Sequence, residues 1–185
     1  VLEWFTQEIS PQSKISQFRK KSTGNIQYNI KFTAPSLIKS LEDLYLIKPK
    51  KTQDLDFIFP FSKIPDDLIH HFVRGFFDGD GTITVRKNGL VPQFGFVATS
   101  KKFLEQLAIV LPFDDYRLIE TQGKNMVYYQ LMYSCGHGKD IDVQSYLYKD
   151  AHYYLERKYN KFLENTELTN NLIVAGSVER RGRSK

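Results

Sequence analysis

Two carboxylates and three glycines share seven consecutive residues, Gly75-Phe76-Phe77-Asp78-Gly79-Asp80-Gly81. Carboxylate oxygens are the preferred ligands of Mg²⁺, which takes one or two protein carboxylates and fills its shell with waters and phosphate oxygens. A phosphodiester is such a partner. Two acids alone cannot hold a tight site, but a symmetric pair of such helices sharing a phosphate could. Gly75 and Gly79 are four apart, so a helix places them on one face. Glycine inside a helix costs about 0.5–1 kcal/mol relative to alanine. Two at this spacing point to close approach by another helix, the logic of small-residue packing. Gly79 and Gly81 then permit a sharp exit into the next strand.

Blander readings compete. Asp-Gly-Asp-Gly resembles the middle of a calcium-binding EF-hand loop, but that alignment puts Phe76 and Lys87 where acidic ligands are required. Asp78 could serve as a turn or cap, its carboxylate stabilising local amides. Arg74 could neutralise the acids as a structural ion pair.

The elements around this motif must position it. Ile64-Pro65-Asp66-Asp67 opens its helix, with proline in the first turn and carboxylates at the positive end of the dipole. The helix runs to about Asp78, with Leu68, Ile69, Phe72, Val73, Phe76 and Phe77 as its apolar stripe. Residues 82–87 and 93–98 read as strands joined at Asn88-Gly89. Residues 101–110 read as a helix, 116–121 and 126–133 as two more strands, and 140–163 as one helical segment. Upstream, the pattern predicts a helix over 1–9, a short strand over 15–18, a half-buried strand at Ile26, Tyr28, Ile30 and Phe32, and a helix over 35–46. Pro49-Lys50-Lys51-Thr52 is a basic loop.

Residues 65–163 thus order as helix, strand, strand, helix, strand, strand, helix. Part of a second copy precedes them: Val1-Leu2-Glu3 matches Phe103-Leu104-Glu105, and the alternation from Ile26 to Phe32 matches that from Val127 to Tyr133. On that offset the partner of the Asp-Gly-Asp-Gly helix would fall before Val1.

Composition sets the class of partner. The 185 residues carry a net charge of +5 and are 41% hydrophobic, so the chain folds and favours polyanions, nucleic acid ahead of membrane. A single cysteine, Cys135, excludes an intrachain disulfide and a cysteine-rich zinc site and fits a reducing, intracellular compartment. No apolar run is long enough to span a membrane. Richness in Phe, Tyr, Ile, Asn and Lys suits an AT-rich organellar or phage gene.

Ile64-Pro65 followed by Phe72 to Gly81 resembles the motif of the LAGLIDADG homing endonucleases, in the form seen at the second motif of single-chain members. Tyr28 to Leu46 with the loop after it resembles the end of that family's first repeat. Phe96 to Lys101 resembles its second strand and following turn. Leu147 to Ala151 and Tyr154 to Tyr159 resemble its closing helix. The resemblance implies an α/β (α+β) fold of αββαββα repeats with antiparallel DNA-binding sheets and a pseudo-twofold axis through paired motif helices. Residues 1–62 would be the later part of a first, incomplete repeat, 63–165 the second repeat, and 166–185 a basic tail. Asp80 would be the metal ligand at the scissile phosphate and Asp78 the structural acid. Lys158 and Lys51 (or Lys50) would organise solvent. Val97 stands where some members place a water-positioning glutamine.

Strand alternation then selects a DNA face. Thr82, Thr84, Arg86, Lys87 and Asn88 continue the parity of Asp80, and Gln93 faces with them, while Phe94, Phe96 and Ala98 face the core. Arg117, Gln122, Lys124, Asn125, Tyr128 and Gln130 are further candidates. The upstream copy offers Arg19, Lys20, Lys21, Gln27, Asn29 and Lys31. The resemblance implies a site-specific, Mg²⁺-dependent double-stranded DNA endonuclease, intron-encoded in type. It needs the missing first-repeat helix from the same or another polypeptide. The alternatives are an intron-RNA-binding maturase and a non-catalytic DNA-binding regulator of the same fold.

Overall fold

Residues 2–45, 55–85, 92–134, 139–164 and 167 are described by the structure, a computed structural model. Helix α1 (Leu2–Ile9) leads into strands β1 (Ile15–Arg19) and β2 (Ile26–Ile30) and helix α2 (Pro35–Tyr45). Two short 3₁₀ turns precede α3 (Ile69–Asp80). Then come β3 (Gly81–Val85), β4 (Pro92–Ala98), α4 (Lys101–Val110), β5 (Tyr116–Gln122), β6 (Val127–Ser134) and α5 (Lys139–Tyr148). Residues 156–164 form a last helix, α6. The fold is mixed α/β with antiparallel sheets, consistent with the expected αββαββα plan. Among the described residues no helix is long and apolar enough to cross a membrane.

Strands β3, β4, β6 and β5 form one four-stranded antiparallel sheet in that order. Its helix-covered face follows from period-two alternation. Phe94 and Phe96 on β4 lie opposite Tyr133 and Leu131 on β6, and all four are buried. Helix α3 lays Val73 and Phe77 onto them, and α4 adds Phe103, Leu104 and Leu107. Phe77 meets Phe96 edge to face at 5.6 Å between ring centroids, a favoured aromatic geometry. Leu147 from α5 and Phe162 from α6 close the core. Ser100 caps α4 by accepting the Phe103 N–H, while its hydroxyl donates to the Phe57 carbonyl.

Three sequence expectations change. The motif helix runs on to Asp80, so Gly81 alone makes the exit. A Cβ at Gly81 would collide with the Phe77 ring and carbonyl, so this turn requires glycine. The segment expected as one helix over 140–163 is two helices, broken between Tyr148 and Glu156. The break frees the Leu155 N–H to donate to Asp78 rather than to its own helix. Finally, the upstream strand ends at Ile30 rather than Phe32.

The upstream elements carry no buried residue in α1, β1, β2 or α2. β1 and β2 pair as a hairpin through Ile15↔Ile30 and Arg19↔Ile26. Gly24 turns it at a φ of 71°, a conformation that favours glycine.

Candidate nucleic-acid and metal site

Asp78 and Asp80 leave the end of α3 in different directions and environments. Asp78 is half-buried and accepts two hydrogen bonds, from the Tyr148 hydroxyl at 2.8 Å and from the Leu155 N–H at 2.9 Å. Burial and the Asp78 charge raise the Tyr148 pKa far above that of a free phenol, so it stays a donor. Asp80 is exposed. A carboxylate at the C-terminal end of a helix sits against the macrodipole. For Asp78 the two donors offset that; for Asp80 the folded chain supplies no such donor among the described residues.

Lys158 lies beneath the pair. It is buried and donates through Nζ to the Phe77 carbonyl at 2.9 Å and to the Gly81 carbonyl. Its ammonium also stands 5.0 Å from the Phe77 ring centroid. The cation thus bridges the end of α3 and the start of β3, sharing the Phe77 carbonyl with the Gly81 N–H. Burial lowers the Lys158 pKa, aided by Arg157, while Asp78 and Asp80 oppose the shift.

The other end of α3 is tied to the same segment. His70 Nε2 is 2.8 Å from Asp150 Oδ2, and Arg74 Nη1 is 3.6 Å from Asp150 Oδ1. Arg74 also donates to the Leu147 carbonyl at 3.0 Å and stands 2.7 Å from His71 Nδ1. The reading of Arg74 as the counter-ion of Asp78 and Asp80 therefore gives way: its ion pair is with Asp150. His70, His71 and Asp150 bring three possible metal-ligand atoms within 4.8 Å of one another. The Arg74 charge beside them opposes a cation, so we read the cluster as a clamp. Sequence reasoning missed Tyr148, Asp150, His70 and His71. The signal was an aspartate and a histidine, poor helix formers, at 150 and 152 inside a supposed helix.

Gly75 and Gly79 lie exposed on α3, and a Cβ added at either would touch nothing. Grooves run along both sides of this seam. One, of about 640 Å³, is lined by Phe72, Phe76, Asp80, Val97 and Tyr128; the other, about 700 Å³, by Trp4, Asp78, Tyr153 and Leu155. Trp4 of α1 stacks on Tyr153 at 4.5 Å between ring centroids.

The open face of the sheet continues from Asp80. Thr82 and Thr84, Gln93 and Val97, Tyr128 and Gln130, and Arg117 all share it by register. Gln93 is nonetheless buried. Gln122 has the opposite parity to Arg117 and sits beside Lys124 and Asn125 at the exposed end of the β5–β6 hairpin. Upstream, Gln27 and Asn29 share a face with Phe18, whereas Arg19 lies on the other and donates to the Gly24 carbonyl. Lys20 and Lys21 are exposed in the turn, and Lys31 follows β2. Lys50, Lys51, Arg86, Lys87 and Asn88 lie outside the described residues, as do 166 and 168–185.

A helix with a glycine seam and an exposed terminal acid, set beside an open antiparallel sheet, defines the α/β domain that carries these candidate residues. The LAGLIDADG-like domain family matches the chain over residues 67–137, from the start of the motif helix past β6. That match supports the LAGLIDADG homing endonuclease family for residues 67–137. No curated protein matches the chain.

Proposed function

We propose that this domain is one half of a site-specific, metal-dependent endonuclease that cuts double-stranded DNA. The observation that carries the reading is Asp80: an exposed carboxylate, placed against the helix dipole at the foot of a glycine seam and next to an open sheet. No donor among the described residues hydrogen-bonds to it, and the folded domain uses its charge only to help hold the Lys158 ammonium. Mg²⁺ fits such a position, because it binds through one or two carboxylates and completes its shell with waters and phosphate oxygens. When bound, it would polarise water and stabilise the leaving oxygen.

This chain's residues do the positioning. Asp78 anchors the helix end to Tyr148 and Leu155, and Lys158 fixes the carbonyls on either side of the acids. Gly75 and Gly79 admit a second motif helix, which would bring the second carboxylate. The upstream elements are the closing part of a first repeat on this reading. β1 and β5 begin at 15 and 116, and β2 and β6 at 26 and 127, an offset of 101 residues in both cases (116 − 15 and 127 − 26). The second motif helix would come from the same or another polypeptide, and Lys51 would serve the first repeat as Lys158 serves the second.

The test is cleavage of insertion-site DNA by the intact polypeptide with Mg²⁺, beside Asp80→Asn and an EDTA control. Double-strand cutting lost in both controls is expected. Tight binding without cutting, unchanged by Asp80→Asn, would move the assignment to a maturase or a DNA-binding regulator.

A further inference from the structure

On the open face of the sheet, cross-strand register sets side chains in rows. Val97 on β4, Gln130 on β6 and Ile119 on β5 are successive Cα partners, so they form one row, an amide between two aliphatic groups. Thr121 stands diagonally across from Gln130 on the same face, and Gln130 Nε2 donates to its Oγ1 at 3.2 Å. Gln130 is half-buried, and 38% of Ile119 is exposed.

That hydrogen bond sets which way the amide faces. One N–H is taken up by Thr121. Among the described residues nothing takes up the second N–H or the carbonyl oxygen, so the amide keeps one donor and one acceptor. Adenine presents the complement in the major groove, N7 as acceptor and the N6 amino group as donor, whereas guanine presents two acceptors. The thymine paired with that adenine offers a methyl group, which suits an aliphatic neighbour.

We propose that Gln130 reads one adenine in the DNA target, that Thr121 is the positioning residue that fixes its amide, and that Ile119, its exposed neighbour in the row, receives the paired thymine methyl. The inference rests on the DNA-binding reading above and adds a base to it.

The experiment is selection from a pool of randomised duplexes by the 185-residue chain, beside Gln130→Met, Gln130→Glu, Thr121→Val and Thr121→Ser, each first checked for an unchanged melting temperature. The unaltered chain should enrich a site containing an A·T pair that Gln130→Met alone makes degenerate, with preference falling on the order of 10-fold. Gln130→Glu, an acceptor only, should shift that position toward cytosine. Thr121→Val should admit guanine beside adenine there, and Thr121→Ser should restore adenine. Guanine at that position in the unaltered selection overturns the assigned amide orientation. A consensus untouched by Gln130→Met overturns the inference while leaving DNA binding intact. Failure of the unaltered chain to enrich any duplex overturns the DNA-binding reading itself.

Discussion

Residues 2–45 and residues 101–148 run through the same order of elements, helix, strand, strand, helix, with strand starts 101 residues apart. They differ in what they bury. The downstream stretch packs Leu104, Leu107, Leu131, Tyr133, Val143 and Leu147 at 1% exposure or less. The upstream stretch buries nothing in its four elements, and Phe18 and Tyr28 stand 45% and 57% exposed. Local pattern is alike in the two; the downstream copy has α3, β3 and β4 against it, and the upstream copy has no such layer among the described residues. A two-stranded hairpin with two short helices leaves its apolar face short of cover, because so small a sheet is marginal until further strands or a broader helix layer pack on it.

The largest effect should separate the copies directly. Phe77→Ala removes a fully buried ring from the junction of α3, β4 and α6 and should cost about 3–5 kcal/mol in denaturant unfolding. Phe18→Ala in the upstream hairpin should stay within about 0.5 kcal/mol. A comparable loss from both would show that the upstream face is already covered in solution.

Asp78→Ala should cost about 1–3 kcal/mol, since it strands the Leu155 N–H and the Tyr148 hydroxyl. Hydrogen exchange should show the Leu155 amide losing protection; an unchanged amide would remove Asp78 as the anchor of the α5–α6 break.

Gly75→Ala should stabilise the isolated chain by about 0.5–1 kcal/mol, because the helix gains propensity and the new methyl meets open space. Cleavage by the paired protein should fall in the same variant. Destabilisation of the isolated chain would mean that the seam is already filled.

The smallest effect is acidic. Burial lowers the His71 pKa, with the neighbouring His70 and Arg74 charges adding to it. The unfolded state then binds the proton more readily, so stability declines as pH falls through the unfolded value of about 6.5 and levels off below the folded value. His71→Asn should flatten melting temperature against pH in that window. A slope unchanged in the variant would assign the acid sensitivity elsewhere in the α3 clamp.

Much of this was legible in the residues. Period-two alternation placed Phe94 and Phe96 inward and Thr82, Thr84 and Gln130 outward, because successive strand residues must face opposite sides. The run from Phe72 to Gly81 marked a helix with a glycine face and two acids near its end. Sequence alone could not divide the labour between those acids. Asp78 and Asp80 differ because Tyr148 and Leu155, some 70 to 80 residues away, fold back onto Asp78 and leave Asp80 exposed. The break between α5 and α6 was hidden for the same reason: its stabilising partner is Asp78, not a local cap. Residue spacing determined which side chains share a face; only tertiary hydrogen bonds, made by groups distant in the chain, decided which acid holds the helix and which stays exposed.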